Sequence, residues 1–89
     1  MTLQQLKYIL TIAKYESINE AAKQLFISQP TLSHSIKELE NEIGFSIFQR
    51  SNKGIIATPK GYEFLGYARQ VLAQYSLLED KYLIKRAHK

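Results

Sequence analysis

Two amphipathic segments of this chain meet across the short link Phe26-Ile27-Ser28. So short a link leaves little room for neighbouring helices to run back antiparallel, but it suits a pair that crosses at a large angle. Both flanks carry helix-start signals. Upstream, Ser17-Ile18-Asn19-Glu20 has the capping-box form, in which the Ser17 hydroxyl and the Glu20 carboxylate each satisfy a backbone amide at the helix start. Ile18, Ala21, Ala22 and Leu25 then supply a buried face, and the two alanines let another helix approach closely. Downstream, Ser28 is a good N-cap, and Pro30 withdraws an N–H that needs no intrahelical partner. Ile27 is placed to plug the corner. Turns of this kind often contain glycine, whereas this one has Phe26.

The second of the two helices has faces of opposite character. Leu32, Ile36, Leu39 and Ile43 recur at steps of four, three and four, so at about 100° per residue they make one apolar stripe that faces a core. The far side carries Pro30, His34, Lys37 and Asn41, edged by Thr31 and Glu38 on one flank and Ser33 on the other. That side faces solvent or a partner, and its chemistry suits a nucleic-acid duplex. Gln29 offers a bidentate amide to adenine, Thr31 and Ser33 bond bases or phosphates, and His34 donates to a guanine edge or a phosphate. Pro30 and the Thr31 methyl fit against a thymine methyl, and Lys37 suits a phosphate. Each residue also has a plainer use: capping and solvation for Gln29, Thr31 and Ser33, helix initiation for Pro30, and simple solvation for His34. Glu38 and Glu40 would be repelled by phosphate and are expected to point away or to form helix pairs.

Around this pair the remaining segments read as support. Thr2 caps a first helix with apolar positions Leu3, Leu6, Ile9, Leu10 and Ala13, ending before Tyr15-Glu16-Ser17. Gly44 stands where a left-handed residue would end the helix of Ile43. Ser46-Ile47-Phe48-Gln49-Arg50 and Ile55-Ile56-Ala57 are β-prone runs separated by the turn formers Ser51-Asn52-Lys53-Gly54, which predicts a two-stranded hairpin. Arg50 and Lys53 put positive charge near its tip, suited to phosphate contact or to plain solvation.

Thr58-Pro59, an N-cap followed by proline at the first helical position, predicts a last helix from Pro59 to about Ile84. Phe64, Ala68, Val71, Tyr75, Leu78 and Tyr82 step along it by four and three alternately, the period of a coiled-coil seam. A second row, Leu65 and Leu72, is available to the core. Such a helix is about 39 Å long at 1.5 Å per residue, longer than so small a core can cover, so its far end calls for a second chain. The following Lys85, Arg86 and Lys89, after Lys81, read as a solvated basic tail.

A chain of 89 residues with a net charge of +4 suits a single small domain with a polyanionic partner. The absence of cysteine excludes disulfide frameworks, thiolate zinc sites and cysteine nucleophiles. No stretch is long and apolar enough to act as a membrane span or signal peptide, so a soluble cytoplasmic protein without membrane contact is expected. Catalysis finds no support, because no convergent nucleophile, acid or metal set is present. His34 and Glu38 stand at i, i+4, but a third metal donor is missing and His88 lies in the tail. No cofactor and no metal are expected.

The order helix, helix, helix, hairpin, long helix describes a mainly α winged helix-turn-helix, with a three-helix core, a two-stranded β-hairpin wing and a long C-terminal linker helix. Ala21-Ala22-Lys23-Gln24-Leu25-Phe26-Ile27-Ser28-Gln29-Pro30-Thr31-Leu32-Ser33, then Ile36, Leu39-Glu40, Ile43-Gly44 and Phe48-Gln49-Arg50, closely resemble the N-terminal DNA-binding domain of LysR-type transcriptional regulators. The likeness continues through Lys53-Gly54, Thr58, Gly61 and Tyr67-Ala68-Arg69, so it covers nearly the whole chain in the family's order.

The resemblance implies a bacterial regulator that binds double-stranded DNA sequence-specifically and regulates transcription as a dimer held by the long linker helix. Its implied operator is an interrupted palindrome, and a tetramer is open to a full-length protein. Residues 1–58 would form the winged DNA-binding domain, and 59–89 the linker and dimerisation helix with its basic tail. The family's C-terminal small-molecule-sensing domain has no counterpart in these 89 residues, which therefore look like a piece of a longer regulator. In the family, the residues matching Gln29, Pro30, Thr31, Ser33 and His34 approach bases or phosphates, and those matching Arg50 and Lys53 approach the backbone at the wing. The sequence departs from the pattern at His34, where arginine is frequent, at Ala57, where leucine is usual, and at Pro59-Lys60, where an acidic or small residue often stands. The alternative is a winged helix used only for protein contact, since fold alone does not set function.

Overall fold

The side-chain hydroxyls of Thr2, Ser17, Ser28 and Thr58 accept the backbone amides of Gln5, Glu20, Thr31 and Gly61, and each begins a helix there. The computed structural model describes residues 1–83. In it α1 spans Leu3–Tyr15, α2 Ile18–Leu25, α3 Gln29–Ile43 and α4 Pro59–Tyr82. Strands β1 (Phe48–Ser51) and β2 (Gly54–Ala57) lie between α3 and α4 as an antiparallel hairpin, paired from Phe48↔Ala57 to Ser51↔Gly54. This is the expected winged architecture. Ile84, Lys85, Arg86, His88 and Lys89 lie outside the described residues.

Several local expectations are corrected. The reciprocal capping box forms at α1, where Thr2 N donates to Gln5 Oε1 and Gln5 N to Thr2 Oγ1, both at 3.0 Å. At α2 only the Ser17 half forms, because Glu20 Oε2 instead accepts from Gln24 Nε2 one turn along the helix at 3.0 Å. The first helix also runs on through Tyr15. The first strand starts at Phe48 rather than Ser46. Ile47 is fully buried and its backbone groups go elsewhere, the N–H to Glu40 Oε2 (2.7 Å) and the carbonyl to the Thr58 N–H (2.9 Å). Glu40 thus neither points away nor joins a helix pair. Its carboxylate also lies 3.5 Å from the Phe48 amide, so it ties α3 to the start of the hairpin.

The core forms where α1 meets α2, α3, α4 and β2. Ile9, Ile12, Leu32, Leu39, Ile47 and Leu65 are fully buried there, and each such side chain contributes about 1.5–3 kcal/mol by leaving water. Ala21 and Ala22 are buried on α2, and Ile27 and Ile43 pack at the core's edge. Two further ties hold the hairpin. Ile55 N donates to the carbonyl of Glu16 at 3.1 Å, and the Thr58 hydroxyl donates to Ser46 O at 2.6 Å. Both ties bring backbone very close. A Cβ on Gly54, which has φ +126°, would come within 2.7 Å of Glu16 O, and one on Gly61 would overlap Ile47 O.

Candidate nucleic-acid interface

The N-terminal half of α3 is an exposed polar surface whose side chains are held by their neighbours. Ser28 Oγ accepts the Thr31 amide at 3.2 Å and donates to Thr31 Oγ1 at 2.8 Å, so both hydroxyls are ordered at the helix start. Gln29 Nε2 donates to Ser33 Oγ at 2.8 Å. This leaves the Gln29 carboxamide oxygen and one N–H to meet a base edge. Pro30, Thr31, His34 and Lys37 are exposed and Ser33 is half-buried, as the helical spacing requires once Leu32, Ile36 and Leu39 are buried. His34 Nε2 stands 3.4 Å from Glu38 Oε2.

Arg50 joins this surface from the hairpin. It lines a cleft of about 260 Å³ with Ser33, Lys37 and Gln49, and a second of about 200 Å³ with Gln29, Ser17 and Asn19. Gln29 on the one side and Ser33 with Lys37 on the other thus border two clefts that share Arg50, Ile18 and Ile55. Pro30, Thr31 and His34 line neither cleft, and Lys53 sits apart in the hairpin turn, where its amide donates to Ser51 Oγ at 3.2 Å. Asn19 lines the smaller of these clefts and Gln49 the larger, and both were missed in the sequence. Exposed polar residues carry no periodic signal, and only the crossing of α2 over α3 and the hairpin pairing bring these two in.

The seam predicted along α4 divides in two. Ala68 is buried in the chain's own core, and Phe64 is half-buried with its ring edge-on to Phe45, centroids 6.1 Å apart. These two positions are taken up internally. Beyond them Val71, Tyr75, Leu78 and Tyr82 are exposed, Leu78 to 55% and Tyr82 to 69%. Tyr75 borders a groove of about 480 Å³ between α1 and α4, floored by Leu3, Tyr8, Leu25 and Leu72. Among the described residues no helix is long and apolar enough to cross a membrane, and no group of three His, Cys, Asp or Glu could hold a metal.

Two helices crossing over a tight turn, the second with a polar outer face beside a basic hairpin, define a winged helix-turn-helix protein. The family model described as "Bacterial regulatory helix-turn-helix protein, lysR family" matches residues 3–62. The chain belongs to that family. It is 44% identical over 72 residues to a "Probable RuBisCO transcriptional regulator" of Thalassiosira pseudonana, covering 81% of this chain and 24% of that protein. The crystal structure of a CbnR DNA-binding domain–DNA complex is similar at TM-score 0.84 and 34% identity, over 91% of this chain and 93% of that one. A full-length OxyR variant from Pseudomonas aeruginosa is similar at TM-score 0.87 and 37% identity, over 97% of this chain and 29% of that one. The chain thus spans about a quarter of the length of the RuBisCO regulator.

Proposed function

We propose that the chain binds double-stranded DNA sequence-specifically and serves transcription regulation, with α3 in the major groove and the hairpin on the phosphate backbone. The observation that carries this reading is that Arg50 of the hairpin lines both the cleft that holds Gln29 and the one that holds Ser33 and Lys37. It sets base-reading amide and hydroxyl groups beside phosphate-seeking cations. The fold shared with the CbnR DNA-binding domain in its DNA complex supports the same use. Pro30, Thr31 and His34 extend the reading surface, and Lys53 adds a cation at the hairpin tip.

Residues 1–58 make up the DNA-binding unit, and 59–89 hold the linker and dimerisation helix followed by a basic tail, with the outward stripe of Val71, Tyr75, Leu78 and Tyr82 on α4 pairing with a second copy. A two-fold dimer presents two α3 helices to half-sites of an interrupted palindrome. The function is cytoplasmic and non-enzymatic. A gel-shift titration across salt concentrations tests it: binding whose log affinity falls linearly with the logarithm of salt concentration is expected. No shift on any duplex at low salt would favour a winged helix devoted to protein contact.

A further inference from the structure

We propose that Ser33 is a positioning residue for Gln29, and that by taking up one of its two amide protons it makes the first turn of α3 read adenine in preference to guanine. The inference rests on α3 being the helix that enters the major groove. Gln29 Nε2 donates to Ser33 Oγ at 2.8 Å across one helical turn. Gln29 is exposed, whereas Ser33 is half-buried and borders a cleft of α3 and the hairpin with Ile36 and Ile55. A short side chain at the core's edge therefore anchors a long one that would otherwise sample many rotamers in solvent. The other hydroxyls of this turn are engaged with each other, Ser28 Oγ donating to Thr31 Oγ1 at 2.8 Å. Among the described residues, the partner that holds the Gln29 carboxamide is Ser33.

A carboxamide carries two N–H donors and one acceptor oxygen. With one N–H committed to Ser33, one donor and one acceptor remain. Adenine presents the complement of that pair in the major groove, the acceptor N7 beside the N6 amino donor. Guanine presents two acceptors there, N7 and O6, and meeting both takes two N–H groups. The held amide has only one to give, so its oxygen would be set against O6, acceptor against acceptor. An amide free to turn over would give both protons to guanine. Ser33 thus discriminates by occupying a proton of Gln29 rather than by touching the base itself, which penalises the wrong partner as well as fitting the right one.

The test is selection from a random duplex library, followed by affinities for the four base-pair variants at the position where Gln29→Ala loses discrimination. The unmodified chain should favour adenine over guanine there by about tenfold or more. Ser33→Ala should lower that ratio by about fivefold or more at the same base pair, and Ser33→Thr, which keeps a hydroxyl, should retain it. In a Gln29→Ala background Ser33→Ala should have no further effect on the ratio, because a residue that acts through another has nothing left to act on. Unchanged circular dichroism excludes misfolding as the cause. A ratio unaffected by Ser33→Ala, a loss in Ser33→Thr as large as in Ser33→Ala, or a Ser33→Ala loss that persists without the Gln29 amide would overturn the assignment while leaving DNA binding intact. Gln29→Ala that loses no discrimination at any position would overturn it as well. Failure to enrich any duplex would instead remove the DNA-binding reading and this inference with it.

Discussion

Gly61, in the first turn of α4, lies so close to the carbonyl of Ile47 that a single methyl group on it would overlap the oxygen. That carbonyl is not free to retreat, because it accepts the Thr58 N–H at 2.9 Å. Gly61→Ala should therefore push the start of α4 off the hairpin and lower stability by about 3 kcal/mol. Gly66→Ala, five residues on in the same helix, is the control. Nothing lies within 4 Å of a Cβ there, so the better helix former should raise stability by about 0.5–1 kcal/mol. Urea denaturation of the two variants should shift in opposite directions, and shifts of the same sign would contradict the geometry at Gly61.

Phe26 ends α2 with φ 59° and is 93% exposed. A bulky side chain in the left-handed region is strained and here gains no burial in return. Phe26→Asn should stabilise the chain by about 0.5–1 kcal/mol, since asparagine tolerates this conformation. A lower melting temperature in this variant would reveal a role for the ring that exposure does not suggest.

Glu40 accepts the Ile47 amide at 2.7 Å and approaches that of Phe48 at 3.5 Å. Hydrogen bonds to a charged group are worth about 1.5–3 kcal/mol each, so Glu40→Ala should cost about 2 kcal/mol. Hydrogen exchange should speed up at Ile47 and Phe48 more than at the α1 core amides. Uniform exchange changes would argue that Glu40 supports the whole fold rather than the hairpin.

On DNA, Arg50→Ala and Lys53→Ala should weaken binding to every duplex and reduce the salt slope by about 0.9 each. Gln29→Ala should instead cost about 1–3 kcal/mol on the preferred site and much less on unrelated duplexes. Fluorescence anisotropy over a salt series separates the two outcomes, and an unchanged slope would remove the hairpin cations from the backbone.

Leu78 is exposed on the outer stripe of α4, and in a two-fold pair any substitution there appears twice. Leu78→Glu should cost several kcal/mol of dimerisation by burying unpaired charge, while residues 1–58 remain folded. Sedimentation equilibrium decides: a variant that still dimerises, or an unmodified chain that is monomeric at high micromolar concentration, would show that this stripe is not the interface.

Much of this architecture is local and so could be read along the chain. The helix starts depend on a hydroxyl and an amide three residues apart, and the apolar stripe of α3 depends only on a step of three or four. Neither needs any knowledge of what lies across the fold, and the resemblance to a regulator family was carried by residues of these same segments. The tertiary structure decided everything that depends on how the elements cross. Glu40 finding Ile47, Gly61 admitting the Ile47 carbonyl, and Asn19 lining one cleft with Gln29 and Arg50 bring together residues that sequence spacing does not relate. It also decided the fate of the α4 seam. A period near 3.5 describes a face turned to another chain and a face turned to the chain's own core equally well, and only the packing of α4 on α1 shows that Ala68 serves the core while Leu78 and Tyr82 stay outside.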